Sequence, residues 1–147
     1  WHAVETKSSL AGAPNEISLY ASEGSWTGDS NAIRRYTLRL DGFVSVNAGW
    51  KGGELVTKPL TFSGDRLELN FATSAAGDVR VEIQGADGKP LPGFALDDCA
   101  EVFGDDIDRI VEWKNGSDVS TLSGKTVRLR FVLKDAHLYA LKFSSSR

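Results

Sequence analysis

The sequence predicts an all-β protein, an antiparallel two-sheet β-sandwich, with a jelly roll as the preferred strand order. Two observations lead to this fold class. Most segments alternate apolar and polar residues with a period of two, and no segment shows the 3.6-residue period of an amphipathic helix. Turn-forming residues separate these segments at short intervals, as they do in sandwiches and barrels.

The first half of the predicted sandwich contains four strands. The pattern is clearest where Tyr36 and Leu38 alternate with Arg35. The Asp41-Gly42 pair that follows is a hairpin-turn signal, so we expect the chain to return as a paired strand. Pro59 has no N–H to donate and therefore predicts an edge or bulged strand around it. The four strands are predicted over residues 16–22, 33–41, 43–46 and 54–62.

The second half also alternates, but it contains one long segment without the strand pattern. That segment, residues 85–105, is rich in Gly, Pro and Asp, and loops of this length are usually functional or anchored by their own side chains. Turns are predicted at residues 75–78 and 115–116. We expect the loop anchors to be Phe94, Leu96, Val102 and Phe103. The strands are predicted over residues 66–73, 79–84, 106–113, 127–133 and 137–143.

The length of 147 residues fits one domain with a single core. We assign residues 1–15 to a lead-in or linker, residues 16–143 to the sandwich, and residues 144–147 to a linker or an expression remnant. The chain starts at Trp1 and contains no methionine, so we expect it to be a piece of a longer protein.

Charge and cysteine content exclude several classes of function. The formal net charge is −3, with 17 Lys and Arg against 20 Asp and Glu, which argues against nucleic acid, anionic membranes and strongly anionic glycans as partners. No apolar run reaches the length of about 18 residues that a membrane-spanning helix needs. The single cysteine, Cys99, cannot form an internal disulfide, and no neighbouring histidine activates it, so we expect an idle or buried thiol.

Metal and catalytic sites are weakly indicated. His2 and His137 lie far apart, so zinc is disfavoured. The acidic residues concentrate in one loop instead of flanking a cleft as glycoside hydrolysis requires, so we predict no catalytic residue. Calcium prefers such oxygen ligands, which makes a structural calcium a hypothesis and a solvated acidic loop its alternative. The ligands would be Asp97, Asp98, Glu101 and Asp105, with Asp106 and Asp108 nearby.

Three tryptophans stand among polar residues and glycines. The apolar face of a sugar ring stacks on an indole, while its hydroxyls need amide, hydroxyl or carboxylate partners. Trp26 and Trp50 lie in polar loops, which favours exposure, whereas Trp113 ends a strand and is equally compatible with the core. The sequence therefore predicts a carbohydrate site on Trp26, Trp50 and Trp113, with polar partners Glu23, Asp29, Asn31, Asn47 and Lys51.

Four stretches carry a family resemblance: residues 34–46, residues 60–65, residues 92–94 and residues 127–135. Together they resemble a β-sandwich domain found at the C-terminal end of many large bacterial proteins of glycoside-hydrolase type, often behind a five-bladed β-propeller. The resemblance covers roughly residues 16–143. It implies a secreted, polysaccharide-degrading context, and it carries no catalytic residue over to this chain.

These observations predict a non-catalytic carbohydrate-binding module that targets an extracellular glycan-active enzyme to polysaccharide. Its partners would be a neutral or weakly charged glycan and a catalytic domain of the same parent chain, with no nucleic acid or membrane and with the module itself a monomer. The first alternative is a structural sandwich that braces a glycoside hydrolase and binds nothing alone. The second is a small glycan hydrolase or lyase.

Overall fold

The computed structural model of the protein describes residues 3–24, 28 and 31–146. This part of the chain is all-β: it contains eight strands in two antiparallel sheets and two 3₁₀ turns of three residues each. Two antiparallel sheets are what a two-sheet β-sandwich consists of, so the predicted fold class is confirmed. The jelly-roll strand order stays a prediction. The chain divides into two compact units, residues 1–44 and residues 45–147, which are described in turn.

The first unit is a three-stranded sheet made of β1 (Val4–Thr6), β2 (Glu16–Glu23) and β3 (Ala32–Arg39), in that order. Strand β1 lies within the segment predicted as a lead-in. None of the described apolar residues of this unit is buried, whereas the polar residue Ser18 is fully buried. A small sheet with no buried apolar residue must be held by its backbone ladder and its polar side chains.

Arg35 supplies most of the polar contacts in the first unit. Its Nε donates to Ser18 Oγ at 2.7 Å, and its Nη2 donates to Thr6 Oγ1 at 2.8 Å. The same Nη2 donates to Glu16 Oε1 at 2.6 Å and to Lys7 O at 3.1 Å. One guanidinium thus joins all three strands, because Arg35 lies on β3, two of its partners lie on β2, and a third lies on β1.

The second unit contains β4 (Val46–Ala48), β5 (Gly53–Val56), β6 (Arg66–Gly85), β7 (Asp105–Ile110) and β8 (Val127–Ser144). Their order in the sheet is β4-β8-β6-β7, and β5 also pairs with β8. The 3₁₀ turns are Leu96–Asp98 and Ser120–Leu122. Two long strands, β6 of 20 residues and β8 of 18 residues, therefore form the centre of the sheet.

The apolar core belongs to the second unit, and alternation along β6 and β8 builds it. Every second residue is buried over residues 67–71 and 79–83 of β6 and over residues 127–133 of β8, and the largest of these side chains are Phe71 and Phe131. Side chains of the long loop close the core, because Phe94 packs against it and Val102 is buried. The buried residues contributed by the two long strands are Leu67, Leu69, Phe71, Val79, Val81, Ile83, Val127, Leu129, Phe131, Leu133, Ala136 and Leu138.

Strand β6 carries a wide bulge in its middle. Thr73 pairs with Ala136 of β8, and Asp78 pairs with Lys134, so the four residues from Ser74 to Gly77 face Asp135 alone. The sequence predicted a turn at residues 75–78 that ends one strand and begins the next, and this prediction was wrong. The chain bulges there, because β8 continues without interruption on the other side and holds both halves of β6 in one strand.

The hairpin predicted across Asp41-Gly42 was also wrong. A turn does form, with the Gly42 N–H donating to Arg39 O at 2.9 Å. However, β3 pairs with β2, whereas β4 pairs with β8 in the other sheet. A local turn signal predicts a bend of the chain but does not determine which strand pairs with the next one.

In the described part of the chain, no helix has the length and apolar character needed to cross a membrane.

Candidate functional site

Trp50 is a strongly exposed aromatic residue of the second unit, with 62% of its surface accessible. It lies in the four-residue turn that joins β4 to β5, where the Gly52 N–H donates to Gly49 O at 2.9 Å. Gly52 has φ +75°, and a Cβ at this position would lie 3.2 Å from Leu133 O. The glycines therefore permit a tight turn close to β8, and this turn presents the indole to solvent.

Asp135 of β8 is hydrogen-bonded to this turn. Its N–H donates to Gly49 O at 3.1 Å, and its own φ of 43° is left-handed, a conformation that Asp tolerates better than most residues. On the opposite side, Asp135 O approaches Gly77 so closely that a Cβ there would lie only 2.4 Å away. One residue of β8 is thus flanked by the Trp50 turn on one side and by the β6 bulge on the other.

The bulge opens a recess between β6 and the end of the long loop. Thr73 N donates to Gly104 O at 2.8 Å, and Val79 exchanges two hydrogen bonds with Val102, so Phe103 alone faces the bulged residues on that side. Phe103 is 64% exposed. The recess has a volume of about 310 Å³ and is lined by residues 75–78, Glu101, Phe103 and Lys134.

Lys134 connects the recess to the tryptophan. Its Nζ lies 4.5 Å from the centroid of the Trp50 ring, a cation–π contact, and the same side chain lines the recess. Lys134 covers one face of the indole near this atom, and more than half of the Trp50 surface stays accessible. The two exposed aromatics and the recess therefore form one surface, which we call the Trp50–Phe103 surface: Trp50, Lys134, Phe103, Glu101 and residues 75–78.

The polar groups of this surface are mixed in sign. The Asp78 carboxylate lies 3.6 Å from Arg80 Nε, and Glu101 is exposed beside the recess. Together with Lys134 they offer carboxylate acceptors and an ammonium donor around an aromatic floor. Such a set can hydrogen-bond hydroxyl groups from several directions without presenting a single strong charge.

Trp113 has a different environment. It is only 4% exposed, its Nε1 donates to Val81 O at 3.0 Å, and its ring meets Phe94 edge-on with centroids 5.3 Å apart. The structure thus places Trp113 in the core, which is one of the two roles that its strand-end position allowed. A buried indole with its N–H satisfied has no face free for a sugar, so Trp113 leaves the predicted carbohydrate site.

The remaining predicted partners belong to different parts of the chain. Trp26 and Asp29 lie outside the described residues, so their role stays a prediction. Glu23 and the exposed Asn31 belong to the first unit. Glu23 accepts hydrogen bonds from the Tyr36 hydroxyl and from Arg34 Nε, and these bonds hold the pKa of its carboxyl below the usual range.

Asn47 and Lys51 lie close to Trp50 in the chain, Asn47 in β4 and Lys51 in the turn between β4 and β5, two strands that pair one after the other with β8. Lys51 is exposed in the turn itself. The Asn47 amide nitrogen lies 3.0 Å from His137 Nε2 and donates to Ala136 O at 3.3 Å. Asn47 is therefore engaged with β8 on the exposed side of the sheet, and Lys51 is the freer of the two predicted polar partners.

Ser45 and His137 form a contact that resembles a nucleophile with a base, since Ser45 Oγ lies 2.9 Å from Nδ1 of the ring. The Asn47 amide nitrogen contacts the same ring, at 3.0 Å from Nε2 and 3.3 Å from Nδ1. An activated serine needs a ring nitrogen that accepts the hydroxyl proton and a third group that orients the base. A hydrogen bond between two side chains on this surface carries no proposal of hydrolysis by itself.

The acidic loop does not assemble a metal site among residues 3–24, 28 and 31–146, where no group of three or more His, Cys, Asp and Glu side chains is placed to hold an ion. Asp98 accepts from Lys114 Nζ at 2.9 Å, so a cation already occupies its carboxylate. Asp97 and Glu101 are exposed on either side of it, and Asp105 begins β7. The residues proposed for calcium thus do not fit a shared ion, and calcium stays an untested prediction.

Cys99 agrees with the expectation of an idle thiol. It is buried, and burial raises the pKa of its thiol above the ordinary value. The Val81 N–H points at its Sγ at 3.2 Å. A protonated thiol enclosed in the core is a poor nucleophile.

Trp50 is the one member of the Trp50–Phe103 surface that the sequence predicted to bind carbohydrate. Glu101 was predicted only as a calcium ligand, and the other side chains that could bind a sugar, Phe103, Lys134 and Asp78, were missed. Phe103 was expected to anchor the loop, and Lys134 and Asp78 have no unusual neighbours in sequence. The only signal was the run Ser74-Ala75-Ala76-Gly77, four small residues between two alternating segments. The run can be interpreted from sequence as a turn. The pairing of β8 with the residues before and after the run shows that it is a bulge.

Comparison of the chain with protein families, curated proteins and solved structures gives no match.

Proposed function

We propose that this domain binds an uncharged or weakly charged polysaccharide through the Trp50–Phe103 surface and catalyses no reaction itself. The observation that carries the proposal is the exposed indole of Trp50 on a hydrogen-bonded turn, beside a polar recess. An indole offers a flat apolar face for stacking, and the polar groups beside it can bind the hydroxyl groups of the same ligand. Sugar rings match the combination of a flat apolar face and peripheral hydroxyl groups.

The electrostatics of the surface favour a neutral glycan. Among the described residues that line the recess, Lys134 is the cation, and two carboxylates, Asp78 and Glu101, lie around it. Arg80 Nε lies 3.6 Å from the Asp78 carboxylate, so the charges at the recess nearly balance. A polyanionic glycan would therefore find no excess of positive charge, whereas hydroxyl groups can accept from the ammonium and donate to the carboxylates. The formal net charge of −3 over the whole chain acts in the same direction.

The resemblance to C-terminal sandwich domains of large glycoside-hydrolase-type proteins supports the same proposal from another side. In that context, the domain would hold an extracellular enzyme on its substrate. The catalytic domain of the parent chain would then be its natural partner.

The test is affinity electrophoresis or calorimetry of the isolated domain against a panel of soluble glucan, mannan, xylan, galactan and fructan. We expect Trp50→Ala to weaken binding by about one to two decades, since stacking on one aromatic contributes roughly 1–3 kcal/mol. The melting temperature should change little, because Trp50 lies on the surface.

Tyr20→Ala is the matched control, because Tyr20 is an exposed aromatic residue of the first unit. It should leave the affinity unchanged. Full affinity of the Trp50→Ala protein would refute the site, and absence of binding to every polysaccharide by the unmodified domain would refute the function.

The second candidate function is a structural brace, and the first unit favours it. Leu19 and Tyr36 are directly opposite each other on β2 and β3, and both are exposed, as is Ile33 at 80%. Apolar side chains on a small sheet without a core suit packing against another domain of a longer chain. A domain that binds no polysaccharide would leave this brace as the better explanation.

A further inference from the structure

We infer that the recess beside Trp50 is a subsite for a single terminal sugar unit, so that the domain recognises the uncharged end or branch tip of a glycan and not the middle of a chain. This inference rests on the proposed function and specifies the part of the polysaccharide that is bound.

The size of the recess supports one ring. Its volume of about 310 Å³ lies at the lower end of the range for ligand pockets, roughly 300–1,000 Å³. A run of several sugars needs an extended groove, whereas this recess is bounded along the strand direction. Thr73 meets Gly104 at one end, and Val79 meets Val102 at the other, both through backbone hydrogen bonds.

The walls of the recess are backbone that cannot easily move aside. Gly77 lies against the carbonyl oxygens of Lys134 and Asp135, where a Cβ would be 2.6 Å and 2.4 Å away. Strand β8 continues below without interruption. A sugar that enters between the bulge and Phe103 therefore meets backbone, and its chain can continue only outwards.

The outward direction leads to the tryptophan. Lys134 lines the recess and places its Nζ 4.5 Å from the Trp50 ring centroid, so the two features lie one lysine side chain apart. The terminal unit in the recess and a following unit on the indole would then bind together. Binding of one sugar strengthens binding of the next, because a sugar that is already linked to a bound one loses little further translational and rotational entropy.

The chemistry of the recess favours hydroxyl groups over carboxylates. Asp78 and Glu101 accept hydrogen bonds, Lys134 donates them, and Phe103 offers an apolar wall. A terminal unit has one more free hydroxyl than an internal unit, and this donor and acceptor set can satisfy it. A terminal uronic acid would gain little there, because Arg80 already lies 3.6 Å from Asp78 and Lys134 balances Glu101, so an added carboxylate meets no excess positive charge.

The experiment uses the unmodified domain with the soluble polysaccharide of the panel that binds, hydrolysed to a graded series of chain lengths. Calorimetry should give at most one protein per chain end or branch tip at every length, with an affinity per site that stops rising after the shortest members. For a linear series, a number of bound proteins that grows with chain length would overturn the inference while leaving the proposed function intact. Absence of binding by any polysaccharide would overturn both.

Two variants test the recess itself. Ala76→Phe adds a ring to the exposed bulge and should weaken binding of the shortest chain about tenfold or more, the loss of one stacking subsite. Phe103→Ala removes the apolar wall without filling the space, and it should also weaken binding of the shortest chain. Ala86→Phe, on the exposed turn after β6, is the control and should bind normally. Unchanged affinity of both recess variants, with intact melting temperatures, would refute the subsite.

Discussion

The two units of this chain use the same secondary structure but are stabilised in different ways. The second unit buries a continuous apolar cluster along β6 and β8, with Phe71 and Phe131 at its centre. The described part of the first unit buries no apolar side chain, and its three strands are joined by Arg35. The comparison shows that a regular strand alternation predicts a sheet but does not predict whether a core lies under it.

The difference bears on function. A rigid platform needs a scaffold that does not move, and the Trp50 turn and the β6 bulge are both attached to β8 inside the strongly packed unit. A polar sheet with exposed apolar side chains is better suited to packing against a neighbouring domain. The proposed site thus lies on the unit with the apolar core, and the proposed brace on the unit with the polar sheet.

The largest expected effect is in the core of the second unit. Phe131→Ala should destabilise this unit by about 3–5 kcal/mol, because it removes a fully buried aromatic and leaves a cavity. Labelling of the buried Cys99 thiol by a thiol reagent measures the opening of this unit directly and should accelerate strongly. A change of less than about 1 kcal/mol would contradict the assignment of the core.

A smaller effect is expected at Arg35 in the first unit. Arg35→Ala removes charge-assisted hydrogen bonds and leaves the buried Ser18 hydroxyl with fewer partners, which should cost about 1.5–3 kcal/mol locally. Amide hydrogen exchange over β1, β2 and β3, followed by mass spectrometry, would show the loss. The control is Arg34→Ala, whose exposed ion pair with Glu23 should be worth less than about 1 kcal/mol.

The same Arg35 variant can break the comparison. Cys99 labelling should stay slow in Arg35→Ala, because the thiol lies in the second unit. Labelling as fast as in Phe131→Ala would mean that the two units unfold together and that the polar sheet supports the apolar core.

The smallest expected effect is acid sensitivity of the C-terminal end of the second unit. Hydrogen bonds from the Ser146 hydroxyl, at 2.7 Å, and from its N–H hold the pKa of Asp65 below its ordinary value. A carboxyl with a lowered pKa contributes stability above the unfolded pKa of about 3.9, and this contribution is lost as the pH falls through the lower folded value.

The measurement is the melting temperature of the unmodified protein, Asp65→Asn and Ser146→Ala between neutral pH and about pH 3. The unmodified protein should lose stability below about pH 4, and Asp65→Asn should lose less of it over the same range. Ser146→Ala keeps the N–H donor and should lie between the two. Identical acid profiles for all three would show that the C-terminal contact contributes nothing to stability.

The candidate site was predictable only in part. Trp50 was identified because glycines and polar residues surround it, and these residues form a turn that exposes it. Trp113 ends an apolar run beside equally polar neighbours, yet it is buried because Phe94 and the Val81 carbonyl enclose it. Local composition reports whether a side chain could be exposed, and distant residues decide whether it is.

The sequence by itself determined the all-β class, because a period of two over short segments is incompatible with helices, and it determined the exposed turn at Trp50, because the glycines there favour a turn. Only the tertiary structure decided that β6 runs through its bulge as one strand, since the uninterrupted pairing with β8 is a contact between residues some sixty positions apart. The pairing of β4 and β5 with β8 brings Lys134 beside Trp50, and the pairing of β6 with β8 brings the same residue to the recess that Phe103 lines. The recess follows from a mismatch in length between neighbouring strands, and that mismatch exists only once the strands have chosen their partners.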